Sequence, residues 1–174
     1  MVKAATLKFF LILFILPFLG CKDNTTFNNF TIKMDVIIAK NDSIHTYYTA
    51  DGSINFTEEQ SFWTKVKGSK KNQQIVVSFP KNIIPSQFRL DFGRALIQED
   101  IVLNKMELSL KDKKLVLKGR EIYRFLRVDV NNTILDKNLG LLIRKDKSNK
   151  NGPSLYPNGD LLKLKLEKFT KNNN

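Results

Sequence analysis

The chain has 174 residues with one cysteine, one histidine and one tryptophan, and its 29 basic and 17 acidic side chains give a formal net charge of +12. This length suits one main domain, which needs neither a disulfide nor a metal to bury a core. A single cysteine excludes an internal disulfide, and one histidine excludes a zinc site built from several His and Cys ligands. The basic excess is mostly lysine spread along the chain, so we expect no nucleic acid partner. We also expect no cofactor.

The chain begins with a short apolar segment. Residues 1–20 contain two lysines followed by an apolar run from Phe9 to Leu19. A helix that spans a bilayer needs about 20 apolar residues, so this run is too short and is typical of a helical signal peptide. Cys21, which follows directly, is then either a modified residue or an incidental cysteine after an ordinary secretory signal.

The run Phe18-Leu19-Gly20-Cys21 resembles the lipobox of bacterial lipoproteins, in which a small residue precedes an invariant cysteine. The resemblance implies cleavage after Gly20 and a lipid on Cys21 that anchors the protein to a membrane. Each acyl methylene that enters the bilayer contributes about 0.8 kcal/mol. Lys22-Asp23-Asn24 is similar, in part, to the export signal of Bacteroidota lipoproteins. This similarity implies a place in the cell envelope, at the outer membrane, with surface exposure left open.

The rest of the chain alternates between apolar and polar residues. Residues 21–29 form the lipidated cysteine and a polar tether, and the four residues 171–174 form a polar tail. Period-two alternation is typical of strands that have one face in a core. It predicts strands at 31–36, 75–79, 88–92, 101–110, 114–117, 139–143 and 162–167. Residues 120–126 fit either a helical turn or a strand. We therefore predict an all-β fold, a single antiparallel, jelly-roll-like β-sandwich over residues 30–170.

Several segments also resemble a domain family. Val66-Lys67-Gly68-Ser69 precedes a predicted strand, and Arg89-Leu90-Asp91 lies in the next segment along the chain. This pattern, over roughly residues 40–170, is similar to the accessory β-sandwich domains of Bacteroidota envelope proteins. Those domains look like galactose-binding-like domains and carbohydrate-binding modules. The resemblance implies a fold more than an activity, because sandwiches carry many unrelated functions.

Catalytic groups are scarce in the sequence. It contains no nucleophile elbow, zincin or P-loop motif. His45 lies in a predicted strand, where a polar-face histidine is the ordinary interpretation and a functional group the alternative. Glu58 and Glu59 are adjacent and fit a solvated loop better than an acid–base pair. Asp51 and Asn55 offer too few oxygens for calcium. We expect no enzyme activity, no catalytic residue and no metal site.

Four residues are candidates for binding a ligand: Trp63, Arg89, Asp91 and Tyr123. Sugars are recognised by aromatic faces that lie beside planar polar side chains. Trp63 most simply fills the core of a sandwich, and a sugar platform is the alternative. Arg89 and Asp91 are two apart on one strand, so they share a face and form an ion pair or contact a ligand. Arg94 extends that face.

Together these features predict a lipid-anchored envelope protein that acts as a non-catalytic binding or accessory module, with a glycan as the candidate ligand. The alternative is a structural or assembly subunit that docks on a membrane protein complex. A concave cleft with polar and aromatic walls favours the binding module. A large exposed apolar patch favours the docking subunit.

Overall fold

The computed structural model of the protein describes residues 29–148 and 150–171; the predicted signal peptide, Cys21 and most of the predicted tether lie outside this part. Within it, two antiparallel sheets pack face to face, which confirms the predicted all-β sandwich. The strands, numbered in chain order, are β1 (Thr31–Ile38), β2 (Asp42–Thr49), β3 (Ser61–Val66), β4 (Ser69–Ser78), β5 (Gln87–Phe92), β6 (Ile101–Leu110), β7 (Lys113–Lys118), β8 (Leu126–Val128), β9 (Thr133–Asp136), β10 (Leu141–Arg144) and β11 (Ser154–Pro157). The helices are α1 (Ile122–Phe125) and α2 (Leu161–Lys171), with 3₁₀ turns at Glu58–Gln60 and Gly119–Glu121.

The two sheets are built from strands that are distant in sequence. Sheet 1 has the order β4-β1-β6-β10-β9, and β7 pairs with the same edge of β6 as β10 does. Sheet 2 has the order β3-β2-β5-β11-β8. Consecutive strands β1 and β2 lie in different sheets, so residues 39–41 form a corner between the layers.

The predicted alternation places the apolar side chains between the two layers. In β1 the side chains of Ile32, Met34 and Val36 are fully buried, whereas Lys33 and Asp35 lie on the outer side. Burying an aliphatic or aromatic side chain of this size stabilises the fold by about 1.5–3 kcal/mol. The largest fully buried side chains, drawn from both layers, include Phe30, Phe79, Phe88, Phe92, Met34 and Leu103.

The ambiguous stretch 120–126 is mostly helical. The 3₁₀ turn Gly119–Glu121 leads into α1, and the chain becomes extended at Leu126, the first residue of β8. Ile122 and Phe125 of this short helix are buried against the core. The helical-turn interpretation therefore holds for residues 120–125, and the strand interpretation holds for Leu126.

The predicted strand at 162–167 is wrong, because these residues belong to α2. Leu162 and Leu166, four residues apart, are buried, and Leu164 between them is 59% exposed. This is the spacing of one helix face, not of a strand. Leucine, lysine and glutamate are also strong helix formers, and none of them is β-branched. Apolar and polar residues alternate along this segment, but burial follows the helical period of about four residues.

The ends of β1 define the two ends of the sandwich. Phe30 precedes β1, and Thr31 pairs with Ser109 beside the turn that joins β6 to β7. Eight residues after Phe30, β1 ends at Ile38, next to the corner that leads to Asp42. At about 3.3 Å per residue, these ends are roughly 26 Å apart.

Candidate functional site

Two rows of polar and aromatic side chains cross the outer face of sheet 2. In the first row, His45 of β2 is the register partner of Trp63 on one side and of Asp91 on the other. Asp91 in turn is opposite Ser154 of β11, so this row crosses four strands. The second row contains Tyr47, which is the register partner of Arg89. Because side chains alternate along a strand, their neighbours Ile44, Phe62, Leu90 and Leu155 face the core.

These rows line a cavity of about 280 Å³. Three loops complete its walls: one after β5 supplies Gly93 and Arg94, one after β8 supplies Asp129 and Asn132, and one before β11 supplies Gly152. Its lining is more polar than apolar, with two arginines and two aspartates. A cavity with this lining offers hydrogen-bond donors and acceptors rather than an apolar surface.

Arg89 is the most tightly held charged side chain of the cavity. Its Nε donates to Asp91 Oδ1 at 2.8 Å and its Nη2 donates to Asp91 Oδ2 at 2.5 Å. The guanidinium carbon lies 4.8 Å from the ring centre of Tyr47 and 4.4 Å from that of Tyr156. A bidentate ion pair between two aromatic rings fixes both the position and the plane of the guanidinium. The hydrogen bonds and charge of Asp91 raise the pKa of Arg89 despite the opposing effect of burial.

His45 is held in one tautomer by Ser61. The Ser61 hydroxyl donates to the main-chain oxygen of Glu58 at 2.7 Å, which leaves its oxygen as an acceptor. His45 Nε2, 2.8 Å from Ser61 Oγ, therefore carries the ring proton. Burial lowers the pKa of His45, although the Glu58 and Asp91 carboxylates oppose this change. The lowered pKa favours the neutral imidazole at pH 7, and the buried Nδ1 of the ring has no hydrogen-bond partner among the described residues.

The His45 ring is also the support for Trp63. The two rings stack with centroids 3.9 Å apart and planes 18° apart, and the His45 and Tyr47 centroids lie 4.1 Å apart. The Tyr47 hydroxyl donates to Glu58 Oε1 at 2.6 Å. Burial and this hydrogen bond raise the pKa of Tyr47 to about 12. The aromatic group is therefore anchored at both ends, while 44% of Trp63 stays exposed.

Asp42 positions the loop that carries Arg94. Its Oδ1 accepts the main-chain N–H of Arg94 at 2.9 Å, and its Oδ2 accepts Nε2 of Gln98 at 2.9 Å. Gly93 opens this loop with φ +75°, and a Cβ there would lie 2.2 Å from Asp42 Oδ2. Only glycine fits. The loop thereby brings the Arg94 guanidinium carbon to 4.8 Å from the Trp63 ring centre.

No protein-family model, no curated protein and no solved structure matches the chain. Its function therefore has to be argued from the site itself. The described residues contain no group of three or more His, Cys, Asp and Glu side chains placed to hold a metal ion. None of the helices in this part of the chain is long and apolar enough to cross a bilayer.

The structure brings together three of the four predicted binding residues. Trp63, Arg89 and Asp91 line the cavity, and so does Arg94. Tyr123 does not, because α1 carries its ring into the core, where it is 5% exposed. The preferred core position of Trp63 is wrong, since its neighbour Phe62 takes the inward position on β3.

The sequence pattern does not assign the other cavity residues, His45 among them, to a binding site. His45 shares strand parity with Tyr47, which is the one signal that placed both on the outer face. Asp129 and Asn132 lie in a loop, and Ser154 starts a four-residue strand. Loop composition does not show where a loop returns, so no signal in the sequence links these residues to Trp63.

Proposed function

We propose that this chain is a lipid-anchored cell-envelope protein whose sandwich binds a glycan in the cavity on the outer face of sheet 2. The observation that carries the proposal is the half-exposed Trp63, supported by His45 at the edge of a polar cavity. An exposed indole on a rigid support provides an apolar face for the C–H side of a sugar ring, and polar walls provide partners for its hydroxyls.

The polar walls supply donors and acceptors together. Asp91 uses two of the five N–H groups of Arg89, so three remain for ligand oxygens. The exposed Arg94 guanidinium, which lies over the Trp63 ring, adds further donors. The Asp129 carboxylate provides acceptors on the opposite loop, beside the Asn132 amide, which bonds to Thr133 and Ser154. Sugar hydroxyls both donate and accept, so this mixture suits them.

The geometry supports binding without catalysis. Ser61 and His45 lie at the distance of a nucleophile and its base, but the Ser61 hydroxyl gives its proton to a main-chain oxygen. His45 therefore donates to Ser61 and does not accept from it, which is the reverse of an activated serine. The pair acts as a support for the aromatic rings.

The anchor rests on Cys21 and the lipobox-like residues before it. Cells grown with labelled fatty acid should incorporate label into the wild-type chain and none into Cys21→Ser. Label in the variant would contradict lipidation at this residue. The experiment is independent of the cavity, so either half of the proposal can fail alone.

The glycan half is tested with the mature chain, residues 21–174 carrying Cys21→Ser, on a glycan array followed by calorimetry of the selected sugars. Trp63→Ala should weaken binding roughly tenfold, as expected for the loss of an aromatic contact. Val76→Ala is the matched control, because Val76 is 49% exposed on sheet 1. Absence of any glycan ligand, or equal loss in both variants, would contradict the proposal. If no glycan binds and the chain instead captures an envelope membrane protein, the docking subunit is the favoured function.

A further inference from the structure

One face of α2 is exposed and has an unusual composition. The most exposed positions are Leu161, Leu164, Lys168 and Lys171, spaced three, four and three residues apart. They form one stripe along the helix, with two leucines at its start and two lysines at its end. Leu161 and Leu164 are 43% and 59% exposed, although the opposite face of the helix is buried in the core. The helix carries four lysines and a single acid.

The lysine end of this stripe lies where the chain enters the domain. Phe30 precedes β1, and its ring centre lies 6.4 Å from that of Phe169 in the last turns of α2. Lys113, just after the turn between β6 and β7, donates to the main-chain oxygen of Thr170 at 3.0 Å. Three separate segments thus meet at one end of the sandwich, and two of them bring lysines to it.

We propose that this stripe and the adjoining Lys113 rest on an anionic phospholipid surface. Leucine side chains enter the boundary between headgroups and acyl chains, while lysines pair with phosphates at the same depth. The proposal rests on the lipid anchor, because eight residues, 22–29, separate Cys21 from Phe30. A chain of eight residues spans at most about 28 Å, so an anchored domain stays close enough for this contact.

The contact would also orient the binding cavity. Arg94 and Gly93 lie at the Asp42 end of the sandwich, and the chain enters at the Phe30 end, roughly 26 Å away along β1. With α2 and the chain entry on the membrane, the Arg94 end of the cavity lies at the end of the sandwich that is remote from the lipid. This is the orientation that a module for soluble or surface glycans requires.

The test uses the mature chain with Cys21→Ser, which keeps every described residue and lacks the lipid. It is sedimented with vesicles of phosphatidylcholine alone or with about one third phosphatidylglycerol. We expect the protein to bind the anionic vesicles alone, and we expect this binding to weaken as the salt concentration rises. Lys168→Gln with Lys171→Gln should lower affinity about tenfold. Lys65→Gln with Lys67→Gln, an equally exposed pair on and after β3, should change it less than twofold.

A second pair of variants tests the leucines. Leu164→Gln should reduce vesicle binding several-fold. Leu139→Gln, at a 63% exposed site in the turn before β10, should leave vesicle binding unchanged. No binding to anionic vesicles would overturn the proposal, as would equal losses in the two lysine pairs, which would mean a diffuse charge effect. The lipid anchor is read separately from fatty acid labelling of the full chain, so its failure and the failure of the α2 surface are distinguishable.

Discussion

Trp63 and its neighbour Phe62 occupy opposite faces of β3, and this fixes what each contributes. Trp63→Ala should lower the free energy of unfolding by about 1 kcal/mol, because nearly half of the side chain is already in water. Phe88→Ala, at a fully buried site, should lower it by about 3–5 kcal/mol. Urea titration measures both. A loss of 3 kcal/mol or more at Trp63 would place the indole in the core.

Arg89 and Asp91 form a pair whose geometry matters as much as its charge. Arg89→Lys keeps the charge but loses the bidentate contact and the stacking, so we expect a loss of about 1–2 kcal/mol in unfolding free energy. Glu167→Gln, which breaks the exposed ion pair between Glu167 and Lys171 on α2, should change the free energy of unfolding by less than about 0.5 kcal/mol. Chemical denaturation of the two variants compares them, and equal effects would contradict the special role of the Arg89 site.

His45 predicts a pH dependence with a definite sign. Burial lowers its pKa below the ordinary 6.5, so below pH 6.5 the unfolded chain takes up a proton that the folded chain does not. The contribution of His45 to stability is therefore complete above pH 6.5 and declines as the pH falls towards its folded pKa. His45 is the single histidine of the chain, so its ring proton signal in an NMR titration measures that pKa directly. A folded pKa above 6.5 would contradict the buried, neutral ring.

At the scale of elements, α2 provides a matched comparison. Leu162→Ala and Leu166→Ala remove fully buried side chains and should each lower the free energy of unfolding by about 2–5 kcal/mol. Leu164→Ala makes the same change on the exposed face and should stay within about 0.5 kcal/mol. Thermal or urea unfolding of the three variants decides. Similar losses at all three positions, or a larger loss at Leu164, would mean that the helix face is assigned wrongly.

The elements show what local pattern can and cannot predict. Strands β1 and β5 were predictable because one face of each lies in the core and the other faces outward, so burial follows sequence parity. In β6 the pairing with β1 shifts register, and the buried apolar positions change parity between Leu103 and Met106. Residues 162–167 have the same parity, yet they form a helix, because leucine, lysine and glutamate favour helix and Leu162 and Leu166 pack into the core from one helix face. The choice between helix and strand therefore depends on tertiary contacts, which the sequence of a six-residue segment does not show.

The same limit applies to the candidate site. Parity alone put Arg89 and Asp91 on one face, and the structure places them together in the cavity. Asp129 and Asn132 join them because β8 and β9 belong to different sheets and the loop between them passes over sheet 2. That crossing depends on strand order, which residue composition does not encode. Tyr123 was misplaced for the opposite reason, since a short helix turned its ring inward.

In the whole molecule, the cavity occupies the outer face of sheet 2, and its Arg94 loop lies at the end of the sandwich opposite the chain entry. The Asp42 corner supports the Arg94 loop at one end, and Phe30 joins α2 at the other. The diffuse positive charge of the chain is compatible with both a glycan ligand and an anionic membrane, so charge alone does not distinguish the two faces. The aromatic rings do distinguish the two faces. The cavity presents the exposed Trp63 ring, whereas the most exposed positions of α2 are leucines and lysines.

The indole N–H signal of Trp63 reports directly on whether a glycan binds against this ring. Trp63 is the single tryptophan, so a nitrogen–proton correlation spectrum of the mature chain contains one such signal. During titration with a glycan selected on the array, we expect this signal to shift in step with saturation, while the amide of Val116 on sheet 1 stays in place. A glycan that saturates the protein and leaves the Trp63 signal unmoved would contradict the account.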